Sequence, residues 1–80
     1  MINFKDRRLV AFGIQVRLYR ERLGLTVEEV AARGYLSVRD LQAIEEGNKN
    51  FGFTTFLELC NSLGVKPSDI LNFDFEGPES

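Results

Sequence analysis

The stretch "SVRDLQAIEEG", residues Ser37 to Gly47, holds the side chains best suited to recognition chemistry in this sequence. Leu41 and Ile44 are three residues apart, so both point to the same side of a helix. The outward side then includes Arg39 and Gln42, whose guanidinium and carboxamide groups form paired hydrogen bonds with planar polar partners. A helix of this shape can lie in a DNA groove, and the rest of the chain must show whether it is equipped to do so.

Bond-making chemistry has little support in the composition. The 80 residues include no histidine and one cysteine, Cys60, which excludes Cys/His zinc sites and every catalytic dyad or triad that needs a histidine base. Cys60 also lies on an apolar helical stripe, where a small core residue is expected. We therefore predict a protein that is not an enzyme and that uses no metal or other cofactor.

The length predicts one small domain, which we place at residues 1–72, followed by a C-terminal tail at residues 73–80. The first twenty residues carry six charged side chains and no long apolar run, which argues against a signal peptide and a membrane span. We expect a cytoplasmic protein.

Charge is unevenly distributed along the chain, although the net charge is only −2. Residues 1–39 contain eight basic and four acidic side chains, whereas residues 40–80 contain two basic and eight acidic ones. Such asymmetry can place a basic face opposite an acidic face. It is equally compatible with a solvated surface that binds no partner.

Five helices are predicted from capping residues and apolar spacing. Helix 1 is expected to start near Asn3, with Asp6 as its capping partner, and to end at Gly24. Its core stripe comprises Leu9, Phe12, Val16, Tyr19 and Leu23. A second apolar stripe at four-residue spacing comprises Val10, Ile14 and Leu18.

Helices 2 and 3 have the layout of a helix-turn-helix. "TVEE" is a capping box in which Thr26 starts helix 2 and Glu29 is the reciprocal partner. Ser37 starts helix 3, Gly47 ends it, and only "RGYL" and its immediate neighbours separate the two helices.

Helix 4 is expected to bury a stripe and to end at Gly64; the stripe comprises Phe53, Phe56, Leu57, Cys60 and Leu63. Helix 5 starts at Pro67, and Ile70 and Leu71 are expected to seal the core. Phe73 and Phe75 in the tail could form a short strand or pack back on the domain.

Residues Phe12 to Leu71 resemble the phage Cro and repressor type of helix-turn-helix, the XRE family. The matching pieces are "FGIQVRLYRERLGLT", "EEVA", "LSVRDLQAIEEG", "KN" and "LELCNSLGVKPSDIL", in order and at the family's spacing. The resemblance implies an all-α, compact, five-helix lambda-repressor-like domain with a short tail. It also implies that helix 3, about residues 37–46, is the recognition helix and lies in the major groove.

If helix 3 lies in the major groove, its outward side chains have chemistry suited to DNA contacts, although each could also be an ordinary solvated side chain; Arg39 alone combines charge, reach and a matched family position. Arg39 would donate to guanine, Gln42 would pair with adenine, and Val38 would contact a thymine methyl. Asp40 could accept from cytosine or serve to cap helix 3, and Ala43 completes the base-facing set. The phosphate contacts would be Arg17, Thr26 and Lys49.

The family also pairs an arginine of helix 1 with a glutamate at the end of helix 3, here Arg20 and Glu45; the alternative is two unrelated surface charges. The departures from the family weaken phosphate binding. Val27 replaces the usual glutamine, Tyr35 replaces the turn glycine, and Glu46 would repel phosphates.

Two functions follow from different classes. The first is a sequence-specific transcriptional regulator, a repressor for example, that binds a double-stranded DNA operator as a homodimer. The second is a protein-interaction module, such as an antitoxin that binds a toxin or another regulator, which keeps the fold with weakened DNA reading. The second stripe of helix 1 and the tail are the candidate dimer surfaces, and no contact with a membrane is expected.

Overall fold

The computed structural model describes residues 6–34 and 36–73, which contain five α-helices and no strand. The helices are α1 (Arg7–Arg22), α2 (Val27–Ala32), α3 (Val38–Glu45), α4 (Phe53–Leu63) and α5 (Pro67–Ile70). The predicted all-α, five-helix class is confirmed. No helix in these ranges is long and apolar enough to cross a lipid bilayer.

The ends of the helices follow the predicted capping chemistry. The Thr26 hydroxyl accepts the backbone N–H of Glu29, and the Glu29 carboxylate accepts the backbone N–H of Thr26, which completes the capping box of α2. The Ser37 hydroxyl accepts the N–H of Asp40 at the start of α3. Three of the helices end near glycines with positive φ, namely Gly24, Gly47 and Gly64, as the sequence predicted.

The predicted start of helix 1 near Asn3 is wrong. Asp6 is not inside the helix but is its N-cap, with an extended backbone, and α1 begins at Arg7. The Asp6 carboxylate accepts the backbone N–H of Arg8 at 2.8 Å, which satisfies a donor that has no partner within the helix. Asn3 lies outside the described residues.

All five helices contribute to one apolar core. Its buried members are Phe12 and Val16 of α1, Val30 of α2, Leu41 and Ile44 of α3, Leu59, Cys60 and Leu63 of α4, and Ile70 of α5. Burial raises the pKa of the Cys60 thiol, which keeps it protonated and suits a structural role. Leu23, which was expected on the core stripe, is exposed because the chain leaves the helix there.

The buried face of α4 differs from the predicted one. Phe53 is 73% exposed and Leu57 is 39% exposed, whereas Leu59, absent from the predicted stripe, is fully buried. Leu59 and Leu63 are one helical turn apart, and both face the core. The helix is therefore rotated about its axis relative to the predicted orientation, and Phe53 and Leu57 lie at the edge of the buried face. Leu71 is likewise exposed, and Ile70 alone seals the core from α5.

The aromatic side chains pack around Phe12. The ring centroids of Phe51 and Phe56 lie 5.2 and 5.7 Å from that of Phe12, and the Phe73 centroid lies at 6.5 Å. The start of the tail therefore packs back on α1 at Phe73. Phe75 lies outside the described residues.

Candidate nucleic-acid interface

The recognition-helix candidate α3 is held on the molecule by its inner face. Leu41 and Ile44 are essentially inaccessible to solvent, and both belong to the core cluster. The helix is amphipathic, so burying this face directs the opposite side chains to the surface. The inner face therefore orients α3.

Helix α1 fixes the C-terminal end of α3 by close backbone contact. A Cβ atom added to Gly13 of α1 would lie 2.6 Å from the carbonyl oxygen of Glu45 and closer still to that of Ile44. No side chain fits in this space, so Gly13 permits the two backbones to meet. This contact sets how far α3 stands from α1.

The Arg20–Glu45 pair reinforces the same junction. Arg20 donates from Nε to Glu45 Oε2 at 2.6 Å and from Nη2 to Oε1 at 3.0 Å, the two-point geometry that a guanidinium and a carboxylate favour. A third hydrogen bond runs from Nη1 to the carbonyl oxygen of Leu25 at 2.9 Å. The side chains are only 12% and 8% exposed. The two predicted partners are thus brought together, and hydrogen bonding to Glu45 raises the pKa of Arg20.

The outward face of α3 presents the side chains predicted to read bases. Arg39 and Gln42 are exposed, and Val38, Asp40 and Ala43 are half-buried around them. No described residue holds the Arg39 guanidinium in a hydrogen bond or an ion pair. Its five N–H donors are therefore available to an external acceptor.

Asp40 occupies a different position from the other base-reading candidates. Its backbone N–H is capped by Ser37, while one of its carboxylate oxygens lies 3.9 Å from the ammonium nitrogen of Lys49. The sequence pattern does not indicate this ion pair, because its partners are nine residues apart and meet only when the loop after α3 folds back.

The phosphate candidates lie on three different elements around α3. Arg17 of α1 lines a cleft of about 310 Å³ together with Gln42 and Glu46 of α3. Arg17 Nε lies 3.4 Å from Glu21 Oε2, one helical turn away. Glu21 was not predicted as a partner of Arg17, although their four-residue spacing on a helix indicates such a pair.

Thr26 and Lys49 complete the phosphate set. The Thr26 hydroxyl accepts from Glu29, which leaves its own proton free to be donated outward. Lys49 follows α3 and reaches toward its first turn. The structure therefore brings Arg17 next to the α3 surface and places Lys49 along its flank.

Two of the departures from the family pattern are visible in the structure. Val27 packs against the core and offers no polar group at the start of α2. Glu46 is exposed at the end of α3 and lines the same cleft as Arg17. Tyr35 lies outside the described residues.

The chain is similar to known helix-turn-helix proteins. A family model described as a helix-turn-helix domain matches residues 13–73. A protein of Sinorhizobium fredii, named as the uncharacterized HTH-type transcriptional regulator y4dJ, is 39% identical over 72 residues, which cover 90% of this chain and 91% of that protein.

Solved structures of two regulators superpose well. One is the restriction-modification controller protein C.AhdI from Aeromonas hydrophila, at a TM-score of 0.76 and 28% identity, covering 79% of this chain and 96% of that chain. The other is the clp gene regulator ClgR from Corynebacterium glutamicum, also at 0.76 and 28%, covering 80% and 83%. The resemblance to the Cro and phage-repressor type is therefore confirmed, and the chain belongs to the helix-turn-helix domain family.

Proposed function

We propose that this protein is a sequence-specific DNA-binding transcriptional regulator that inserts α3 into the major groove. The observation that carries the proposal is Arg39, an exposed guanidinium without a described partner, on a helix whose other face is anchored to the core. The names of the similar proteins, which include two gene regulators and a restriction-modification controller, support the same class. This function needs no catalytic residue or cofactor, and we propose that it is carried out in the cytoplasm.

The outward side chains of α3 match the chemistry of base edges. An arginine fork can donate two hydrogen bonds to guanine O6 and N7, and a glutamine carboxamide can pair with adenine N6 and N7. Arg39 and Gln42 are three residues apart, so both face the groove, and Val38 at the helix start can contact a thymine methyl. Arg17 and Thr26 would hold the flanking phosphates.

Binding to a selected operator tests this assignment. After an operator has been selected from a random DNA pool, Arg39→Ala is expected to cost about 1–3 kcal/mol on that site and much less on random duplex. Lys66→Ala, at the N-cap of α5, removes the same charge as a control and is expected to leave the ratio of the two affinities unchanged. Equal losses on both duplexes for Arg39→Ala would make it a phosphate contact and remove the proposed role.

A homodimer on a two-fold operator is part of the proposal. One recognition helix reads few base pairs, and a second copy one helical turn away supplies further affinity. Ile14 and Leu18 on the outer side of α1 are 52% and 41% exposed, which leaves an apolar surface for a partner copy. Val10, the third member of that stripe, is half-buried and lies against Gly47. It therefore offers a partner copy less exposed surface than Ile14 and Leu18 do.

A protein-interaction module is the second candidate. Two side chains of the cleft that Arg17 lines are poorly suited to binding phosphates, which favours this candidate. Glu46 is exposed where phosphates would approach, and Val27 cannot anchor the backbone. A salt titration with random duplex separates the two functions. A regulator loses affinity steeply as salt rises, whereas a module that has lost DNA reading shows no binding even at low salt.

A further inference from the structure

The cations around α3 fall into two groups. Arg39, the candidate for base reading, has no described partner, whereas Arg17 and Lys49, the candidates for phosphate binding, each lie beside a carboxylate of their own chain. The distances are 3.4 Å from Arg17 Nε to Glu21 and 3.9 Å from Lys49 Nζ to Asp40. The positive charges of Arg17 and Lys49, which would attract DNA of any sequence, are thus partly neutralised by nearby carboxylates. The positive charge of Arg39, which can contact a base, is not.

The position of Asp40 on α3 fits this pairing better than base reading. Asp40 lies one turn before the buried Ile44 and therefore on the same row of the helix, at the border of the buried face. Its side chain is 42% exposed and faces the loop that carries Lys49. Arg39 and Gln42 occupy the middle of the outward face instead. Asp40 stands at the flank of the helix, where a phosphate would meet Lys49.

The carboxylates of Asp40 and Glu21 reduce the free energy that is gained when Lys49 or Arg17 binds a phosphate. A cation that neutralises a phosphate ordinarily frees a counterion from DNA, which makes binding favourable and dependent on salt. When Lys49 leaves Asp40 for a phosphate, the carboxylate remains beside the DNA and repels it or retains a cation. The net gain from the contact is therefore small, and the same reasoning applies to Arg17 and Glu21.

We propose that Asp40 and Glu21 are specificity-determining residues that restrain sequence-independent DNA binding by holding Lys49 and Arg17 in intramolecular ion pairs. Both act through the cations and not on the bases. The inference rests on the proposed function, since it assigns a role within DNA binding. It explains how an acidic chain of this family can favour its operator: the phosphate term is reduced, so the base contacts of Arg39 form a larger share of the binding free energy.

Near-isosteric amides test the role of each carboxylate. Asp40→Asn and Glu21→Gln are each expected to tighten binding to a random-sequence duplex by about two- to fivefold, the range for one exposed ion pair. Each is also expected to steepen the dependence of log K on log salt by up to about 0.9. Fluorescence anisotropy over a salt series measures both. Glu58→Gln, which removes the same charge from α4, is the matched control and is expected to change neither quantity appreciably.

A double-mutant cycle shows whether Asp40 works through Lys49. The gain from Asp40→Asn is expected to shrink in a Lys49→Gln background, because no cation is left to be released. A gain of equal size in both backgrounds would show simple charge repulsion and overturn the pairing. Weaker binding of Asp40→Asn to the selected operator, with random binding unchanged, would show that Asp40 reads a base and would also overturn it.

The same titration separates this inference from the proposed function. If the wild type binds duplex DNA and both amide variants match it in affinity and salt slope, the restraint by Asp40 and Glu21 is wrong while the function stands. If neither the wild type nor any variant binds at low salt, the proposed function is wrong and the restraint falls with it.

Discussion

Arg20 donates hydrogen bonds to both carboxylate oxygens of Glu45 and to the carbonyl of Leu25. It therefore joins α1, the segment before α2 and the end of α3 through one guanidinium. Both side chains are nearly buried, so removing either partner leaves the charge of the other uncompensated. The loss of stability is then larger than the net contribution of the intact pair.

Glu45→Gln is expected to lower the free energy of unfolding by about 3 kcal/mol, the order found for one broken buried ion pair. Glu21→Gln is the matched control, because its pair with Arg17 is largely exposed; it is expected to cost less than about 1 kcal/mol. Urea unfolding followed by circular dichroism measures both. Equal small losses would show that the pair does not hold α3 in place.

Asp6, the N-cap of α1, makes the stability of the folded state depend on pH. Hydrogen bonds from the Arg8 side chain, and then from its backbone N–H, lower the pKa of Asp6 from 3.8 to about 2. A carboxyl with a lowered pKa stabilises the folded state above its unfolded pKa, and this contribution disappears as pH falls from about 4 to about 2. Carboxyl NMR is expected to show a titration midpoint near pH 2. Arg8→Ala should return it toward 3.8, and an unchanged midpoint would contradict the assigned cause.

Packing between α1 and α3 determines the architecture at the level of whole elements. Gly13 lies in the middle of α1, where alanine would ordinarily favour the helix by about 1 kcal/mol. Glycine is nevertheless required there, because the carbonyl oxygens of Ile44 and Glu45 occupy the space of a Cβ atom.

Gly13→Ala is therefore expected to destabilise the protein by about 1–3 kcal/mol, since overpacking of the helix crossing outweighs the gain in helix propensity. Gly52→Ala is the control: Gly52 precedes α4, has a negative φ, and a Cβ there meets no atom within 4 Å. That variant is expected to change stability by no more than about 1 kcal/mol. Thermal unfolding measures both, and a stabilised Gly13→Ala variant would contradict the close approach.

Local chemistry explains which elements could be predicted from the sequence. The caps at Thr26 and Ser37 depend on residues within one helical turn, so the starts of α2 and α3 were predicted at the right residues. The Arg20–Glu45 contact was reached only through the family resemblance. Cys60 and Leu63 of α4 were correctly predicted to be buried, but Leu59 was missed because the rotation of that helix depends on how it packs against the others. The Asp40–Lys49 pair was missed because it depends on the path of a loop.

For the whole molecule, the outer face of α1 is the surface that could join two copies. Ile14 and Leu18 lie one turn apart and are both well exposed, on the side of α1 away from the core residues Phe12 and Val16. An apolar surface of this kind is commonly covered by a partner.

We propose that the wild type dimerises through this face. Ile14→Glu is then expected to run as a monomer in sedimentation velocity and to lose cooperative binding to a two-fold operator. Phe53→Ser is the control, because it removes an even more exposed apolar side chain from α4. It is expected to leave the dimer intact. Dissociation by Phe53→Ser alone would move the interface to α4, and monomeric behaviour of the wild type would remove it altogether.

Different residues of α3 serve folding and DNA recognition, and this separation affects how the protein can evolve. Leu41, Ile44 and Glu45 hold the helix in place, while Val38, Arg39 and Gln42 take no part in the core or in the Arg20 pair. Mutational tolerance along this helix should therefore be bimodal: selection for folding constrains one set of positions and leaves the other free to drift. New operators can then be acquired at little cost in stability, so duplicated copies of such a gene could diverge in target while sharing one scaffold.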